Sequence, residues 1–357
     1  MDGGIKRGAV TSSQVAEHAG VSQSAVSRTF TPGASISPKT RAKVLAAAKA
    51  LGYRPNAIAR SLITNRSRII AVVMAYLENL FYPDVLEELG RRLAAENYHV
   101  LLFTGFKDRD SDPVFDQLMQ YRVDGIILAS TSLSSDLAEE CETAGIPVVL
   151  FNRTTEKEVA SSVTTKNFEG GRALGEFLIA GGHRSFGYIS GITSSSTNRD
   201  RLAGFQDALA RHDISDLEIR PGNYHRPDAE AAARELLRLP KRPDAIFVAN
   251  DHMAVAVMDV ARYEFGLSIP EDLSIVGYDD VGPARWPSYG ITSVTQPIGG
   301  MVEATVDILM DQIASGEIEV QHRVIAGELI VRSSARLPKT GIVEVDGQRL
   351  WRPDGGG

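Results

Sequence analysis

With 357 residues the chain is too long for one ordinary domain, so two or three are expected. At 43% hydrophobic and 23% charged it has a globular composition, no apolar run approaches the roughly 18–20 residues of a membrane helix, and "MDGGIKRGAV" lacks the apolar core of a secretory signal. The single cysteine, Cys141, excludes an internal disulfide and suits a reducing compartment, while the net charge of −7 hides an asymmetry: residues 1–68 hold 11 basic and 2 acidic side chains. A basic head on an acidic body suits a chain of which one part meets a polyanion, although a solvated basic surface gives the same counts.

Three short helices are predicted in the head. Thr11 and Gln14 form a capping box, Val15, Ala16 and Ala19 face inward, and Gly20 fits the left-handed turn that stops the helix. Ser22 caps a second helix in which Ala25, Val26 and Thr29 turn inward. Ser37-Pro38 opens a third, which ends at Gly52 and carries Val44, Leu45, Ala48 and Leu51 as its apolar stripe. Pro55 blocks continuation, and Asn56 can cap one more turn in "YRPNAIARSLITNRSR", too short and too little apolar to be stable alone.

From Ile69 short apolar runs alternate with amphipathic stretches. The runs are "IIAVVMA", "YHVLLFTG", "VDGIILAS", "IPVVLFN", "SFGYISG", "LEIRPGNY", "DAIFVAND", "LSIVGYDD" and "ITSVTQP". "PDVLEELGRRLAAEN", "EGGRALGEFLIAGG" and "RLAGFQDALARH" read as helices. Strands alternating with helices predict parallel sheets covered on both faces, and nine strands suit two doubly wound lobes better than one sheet. The expected organisation is a head over residues 1–55, a hinge and linker over 56–68, a two-lobed body over 69–339 and a poorly ordered polar tail over 340–357, without a leucine heptad.

Two helices joined by a Gly-containing turn form a helix-turn-helix, whose second helix can enter the major groove of double-stranded DNA. There Gln23, Ser24, Ser27 and Arg28 point away from the apolar face. Gln suits adenine, Arg suits guanine and Ser suits phosphate. A polar helical hairpin in some other head domain is the bland alternative.

"VAEHAGVSQSAVSRTF", "ISPKTRAKVLAAAKALGYRPNAIARSL" and the spacing between them resemble the signature of the LacI (lactose repressor) family. Departures are Ala25 for the usual Thr, Thr31 for Asn, and Ile63 for a basic residue. The resemblance implies base readout by Gln23, Ser24 and Arg28, and phosphate contacts from Thr11, Ser22, Ser27, Thr40 and Arg41. It also implies a hinge helix that forms on DNA, with Asn56, Ala59, Arg60 and the wedging Leu62 in the minor groove. A core contact is the plain alternative for Leu62. Lobes resembling periplasmic sugar-binding proteins are implied behind the head, and "GHRSFGYISG", "NRDRLAGF", "FVANDHMAVAVM" and "LSIVGYDD" extend the likeness to about residues 10–336.

Open parallel sheets bind ligands at the carboxyl ends of their strands. On the resemblance, Phe81, Tyr82, Asn152, Thr197, Arg201, Tyr224, Asn250, Asp279 and Gln296 contact a carbohydrate-type effector there, and Arg153, after the run "VVLF", is a further candidate by its place at a strand end. Asp251, Asp280 and His183 fit plain strand-end or turn roles. Lys166 stands where many relatives have Asp; with Arg153 and Arg201 it would make the cleft basic and favour a sugar acid or sugar phosphate, unless it points to solvent.

Asp279 and Asp280 are adjacent on a strand end, so their side chains diverge rather than flank a substrate. The sequence has no phosphate-loop consensus and no metal-ligand spacing. The expectation is a cytoplasmic, nucleoid-associated regulator, not an enzyme and without a cofactor. As a homodimer on a near-palindromic operator it would be controlled by a small molecule between the lobes. Repression is the family's habit; activation or dual regulation, and a solute-binding protein without DNA function, are the alternatives.

Overall fold

The computed structural model describes residues 10–31, 33–54, 66–74, 77–104, 118–129, 140–155 and 159–353. The chain divides into two compact units, Met1–Ser67 and Arg68–Gly357.

The first unit holds α1 (Ser12–Ala19), α2 (Gln23–Thr29) and α3 (Pro38–Leu51). Both halves of the α1 capping box are formed, Gly20 is left-handed at φ 64°, and Ser22 and Ser37 cap the next two helices. Val15, Ala16, Val26, Val44, Ala47 and Ala48 make the small core. The expected stripe of α3 needs one correction: Leu45 is 47% exposed and Ala47 takes the inward place. Residues 44, 47, 48 and 51 follow the i, i+3, i+4, i+7 spacing of one helix face, whereas 45 lies about 100° away. Ala25 is half-buried rather than inward.

The second unit is two α/β lobes, with elements in the order β1 (Ile69–Met74), α4 (Phe81–Ala95), β2 (His99–Thr104), β3 (Gly125–Ala129), β4 (Val148–Phe151), β5 (Ser161–Thr165), α5 (Asn167–Ala180), β6 (Phe186–Ser190), α6 (Ser196–Arg211) and β7 (Leu217–Pro221). They continue with α7 (Arg226–Leu237), β8 (Ala245–Val248), α8 (Asp251–Asp259), β9 (Ser274–Asp279), β10 (Thr292–Thr295), α9 (Ile298–Ser315), β11 (His322–Ile325), β12 (Leu329–Ile330), β13 (Ile342–Val345) and β14 (Gln348–Trp351). All nine expected strands are present.

The first sheet runs β11-β5-β4-β3-β1-β2 and is parallel throughout. Its strands alternate between two cores: Ile70, Val72 and Met74 face the large one, Ala71 and Val73 the smaller one behind. The second sheet runs β13-β14-β12-β10-β9-β8-β6-β7, parallel from β10 to β7 and antiparallel at the other edge. The chain crosses between lobes three times: after β5, after β10 and between β11 and β12. In the second lobe α5 and α6 touch backbone to backbone at two glycines. A Cβ on Gly171 would lie 2.1 Å from the Arg201 carbonyl oxygen, and one on Gly204 would lie 1.9 Å from that of Phe168.

The tail is a second correction. Over the described residues to 353 it is a folded hairpin, not a poorly ordered segment. Asp346 (φ 49°) and Gly347 (φ 76°) are both left-handed, as a two-residue hairpin turn of type I′ requires. β14 pairs with β12 through Ile330 and Leu350, and Trp351 packs edge-on against Phe177 at 5.8 Å between ring centres. The polar composition concealed two apolar anchors, Leu350 and Trp351, which are 2% and 8% exposed.

Burying side chains of this size is worth about 1.5–3 kcal/mol each. Truncation after Pro338 is therefore expected to destabilise the second unit by about 3–5 kcal/mol, read as a lower midpoint in urea unfolding, and Trp351→Ala alone by about 3 kcal/mol.

Candidate functional site

Two candidate sites lie on the two units. On the first, the outward face of α2 is polar: Gln23, Ser24, Ser27 and Arg28 are all exposed. Gln23 Nε2 donates to Ser12 Oγ at 2.9 Å, which holds the start of α2 against the start of α1. Ser22 Oγ lies 3.0 Å from Ser24 Oγ while accepting from the Ala25 amide. No side-chain partner is recorded for Arg28 among the described residues, so its guanidinium donors are available. Thr11 and Thr40 sit at the N-terminal ends of α1 and α3, where backbone amides favour an anion. Arg41 is partly committed inside the fold, donating from Nη1 to the Thr29 carbonyl at 3.0 Å and so tying α3 to the end of α2. Asn56, Ala59, Arg60 and Leu62 lie outside the described residues.

On the second unit the carboxyl ends of β1, β4, β6, β7, β8 and β9 converge on one cleft. Phe81, Tyr82, Asn152, Arg153, Thr197, Arg201, Tyr224, Asn250 and Asp279 line it together. Its centre is Arg201, which α6 presents at 2% exposure. Nε donates to Asn167 Oδ1 at 2.9 Å, Nη1 to the Ala249 carbonyl at 2.6 Å and Nη2 to Asp279 Oδ1 at 3.2 Å. The guanidinium carbon lies 3.6 Å from the centre of the Tyr278 ring. Burial opposes this charge, but the Asp279 carboxylate and the surrounding tyrosines favour it more, and the guanidinium pKa is raised. Burial pushes the Asp279 carboxyl up to about 6 against the opposing pull of Arg201 and Gln296.

The cleft walls carry unusual backbone. Asn152 (φ 58°), Tyr224 (φ 55°) and Asp279 (φ 103°) are all left-handed, a conformation that costs energy in non-glycine residues and aims side chains where ordinary turns do not. The Tyr224 ring lies on Gly191, where a Cβ would come within 2.1 Å, and its hydroxyl sits 3.2 Å from Thr197 Oγ1. Asn250 caps α8 by accepting from the Met253 amide at 3.1 Å. That leaves Asn250 Nδ2 buried with no hydrogen-bond acceptor, and Asn152 Oδ1 is buried with no donor. Arg153 is half-buried, its guanidinium carbon 6.0 Å from the Tyr224 ring centre, and no carboxylate partner is recorded for it. Free space between the lining side chains is about 10 Å³.

Two expected effector contacts lie elsewhere. Gln296 stands behind the cleft, its Nε2 donating to Asp279 Oδ1 at 2.6 Å, so it positions that carboxylate. Lys166 is exposed on the rim of a different recess. It is not among the residues that line the cleft. Asn79 and Asn167 were not anticipated. Asn79 lines the cleft and accepts from the Phe81 amide at 3.2 Å; Asn167 grips Arg201 from the first turn of α5. A polar residue just ahead of an amphipathic helix was the available signal for both.

The three residues expected to be structural have interior partners. Asp251 takes both Ser293 Oγ contacts at 2.9 Å and the Val281 amide at 3.2 Å, and its burial beside Asp279 and Asp280 holds its carboxyl well above the ordinary range. Asp280 pairs with Arg285 at 3.0 Å and Arg332 at 2.7 Å. His183 is fully buried against Asp244 and Arg336, and burial lowers its pKa. Among the described residues no cluster could hold a metal ion, and no helix is long and apolar enough to cross a membrane.

Comparison with known proteins finds relatives for both units. Residues 13–56 match the bacterial regulatory proteins of the lacI family, and residues 176–335 match a periplasmic binding protein-like domain. The chain is 31% identical over 329 residues to the HTH-type transcriptional repressor PurR of Edwardsiella ictaluri, covering 91% of this chain and 96% of that protein. It is 32% identical over the same length to the PurR repressor of Klebsiella pneumoniae, with the same two coverages. Among solved structures, the lac repressor dimer bound to operator and the anti-inducer ONPF aligns with a TM-score of 0.82 at 27% identity, covering 92% of this chain and 99% of that one. A complex of the transcriptional regulator CelR with cellobiose aligns with a TM-score of 0.68 at 31% identity, covering 91% and 100%.

The raised Asp279 pKa has a measurable consequence. An ordinary aspartate titrates near 3.8 and this one near 6, so in that interval the native state binds more protons than the unfolded state. This group's contribution to stability therefore rises as the pH falls from above 6 towards 4. Urea unfolding of the chain and of Asp279→Asn across that range is expected to show this slope in the former and its loss in the latter.

Proposed function

The chain belongs to the LacI family of bacterial regulatory proteins, and we propose that it binds a near-palindromic operator as a homodimer under the control of an anionic, hydroxyl-rich effector held between its lobes. It is a DNA-binding transcriptional repressor with a small-molecule effector, and not an enzyme. In this reading it works in the cytoplasm, on the nucleoid.

In the DNA arm, Gln23, Ser24 and Arg28 read bases from the exposed face of α2. Thr11, Ser22, Ser27, Thr40 and Arg41 hold phosphates around it, and Asn56, Ala59, Arg60 and Leu62 form the minor-groove hinge. One head spans only a few base pairs, so specificity needs two heads on a two-fold site. The lac repressor structure described above is a dimer on its operator, which supports the same assembly here. Residues 1–55 then serve as the head, 56–68 as the hinge and 69–339 as the effector and dimerisation body, with the hairpin at 340–353 completing the second sheet.

In the effector arm, one observation carries the reading: among the described residues, three polar groups in the cleft have no hydrogen-bond or ion-pair partner. Asn152 Oδ1 calls for a donor and Asn250 Nδ2 for an acceptor. Arg153 calls for an anion, because Asp279 is already matched by Arg201. A polyol with one carboxylate or phosphate satisfies all three. Aromatic faces at Phe81, Tyr82 and Tyr224 suit the apolar faces of a sugar ring. Arg153 takes the role that sequence assigned in part to Lys166. Effector and operator then share a coupling free energy that acts equally in both directions.

Each arm has its own test. By fluorescence anisotropy on operator DNA, Arg28→Ala is expected to weaken binding by about 1–3 kcal/mol and to relax base preference at one position. Thr40→Ala is expected to weaken binding on all sequences alike. By calorimetry, a sugar acid or sugar phosphate is expected to bind at least roughly tenfold more tightly than the matched neutral sugar, with Arg153→Gln removing the difference, about 1.4 kcal/mol. Preference for the neutral sugar would overturn the assignment of an anionic effector.

A further inference from the structure

A second recess, of about 370 Å³, opens where Lys166, Ala326, Gly327 and Glu328 mark two of the crossings between lobes. Val294, just before the third crossing, lies in its wall. The effector cleft does not include it, and its lining shares no residue with that cleft. Its volume lies in the range that small-molecule sites occupy.

The wall of this recess is apolar. Val294 and Leu329 supply one side, and the tail hairpin supplies Leu350 and Trp351. The rim is charged, with two cations and two carboxylates. Arg352 and Glu328 already satisfy each other, at 2.7 Å. Lys166 and Glu169 do not: both are exposed, three residues apart at the start of α5, and no hydrogen bond or ion pair of either side chain is recorded. Lys166 is the N-cap residue of that helix and Glu169 lies in its first turn, and both line the recess. Among the described residues, one cation and one carboxylate without a recorded partner therefore stand at the mouth of this recess.

We propose that this recess binds a zwitterion with an apolar body, that is, an amino acid with an aliphatic or aromatic side chain. Its carboxylate meets Lys166, its ammonium meets Glu169, and its side chain lies against Leu329, Leu350 and Trp351. A plain anion would face both Glu169 and Glu328, and a plain cation would face both Lys166 and Arg352, so a ligand of single charge meets repulsion that a zwitterion escapes. Two of the three chain crossings border the recess, so the bound amino acid braces segments that join the lobes.

Trp351 supplies the readout. The chain has two tryptophans, and Trp286 is 56% exposed, so Trp286→Phe in the full chain leaves Trp351 as the sole indole emitter. Its emission is to be followed during titration with valine, leucine, isoleucine, methionine and phenylalanine, and with 4-methylpentanoate and isoamylamine as single-charge analogues of leucine. At least one amino acid is expected to give a saturable change, with either analogue weaker by roughly tenfold or more, and with Lys166→Ala and Glu169→Ala each weakening binding by a similar factor. Both substitutions are at exposed positions, and circular dichroism would verify that each variant is folded. No saturable change with any of the five, equal binding of an analogue, or full binding by Lys166→Ala would overturn the proposal.

Discussion

Removing a guanidinium from water carries a large cost unless charge and hydrogen bonds replace what water supplied. The body of this chain is arranged to do so for Arg201. Three of its nitrogen atoms reach partners from three different elements: Asn167 at the start of α5, the Ala249 carbonyl after β8, and Asp279 at the end of β9. Tyr278 covers its face. The position of α6 that makes this possible depends on Gly171 and Gly204, where any side chain would collide with backbone of the neighbouring helix. A packing constraint between two helices thus fixes where the cleft's central charge sits. Gln296, just after β10, then fixes the carboxylate opposite and is itself held by Thr165 at the end of β5.

The same economy separates the groups that hold the protein together from those that face outward. Asp251, Asp280 and His183 have the chemistry of site residues, yet each has partners in the interior. Asn152, Asn250 and Arg153 stand nearby with polar atoms unclaimed. In the head the division is repeated, with Val15, Val26 and Val44 closing a small core and Arg28 left without an internal partner. Arg41 belongs to both classes, since one of its nitrogens ties α3 to α2 while the others remain free.

Most of this architecture was legible in the sequence, because strand runs such as "IIAVVMA" and "DAIFVAND" are buried on both faces and carry uninterrupted apolar residues. β5 was not legible. "SSVTT" is buried, but its hydroxyls bond to His322 and Gln312, so its interior position leaves no hydrophobic trace. The tail misled because its overall polarity outweighed a specific signal, the Asp-Gly pair between alternating residues that marks a tight hairpin. In the cleft, eight residues placed by resemblance share one lining with Arg153, whereas Lys166 and Gln296 lie outside it. The position of Lys166 in the chain beside Asn167 said nothing about which recess it would line. Asn79 and Asn167 escaped notice because residues that position others carry no chemistry of their own to betray them.

The cleft's free volume of about 10 Å³ is room for about one water molecule. A sugar-sized molecule cannot diffuse into such a space; the lobes must first part, and they must part again to let it go. The frequency of lobe opening, rather than contact strength alone, then limits how fast the regulator can follow a change in its chemical surroundings. Brief fluctuations in effector supply, shorter than the interval between openings, would pass without reaching the operator. On the proposed function, the tightness of the side-chain contacts across the cleft would act as a low-pass filter on the signal.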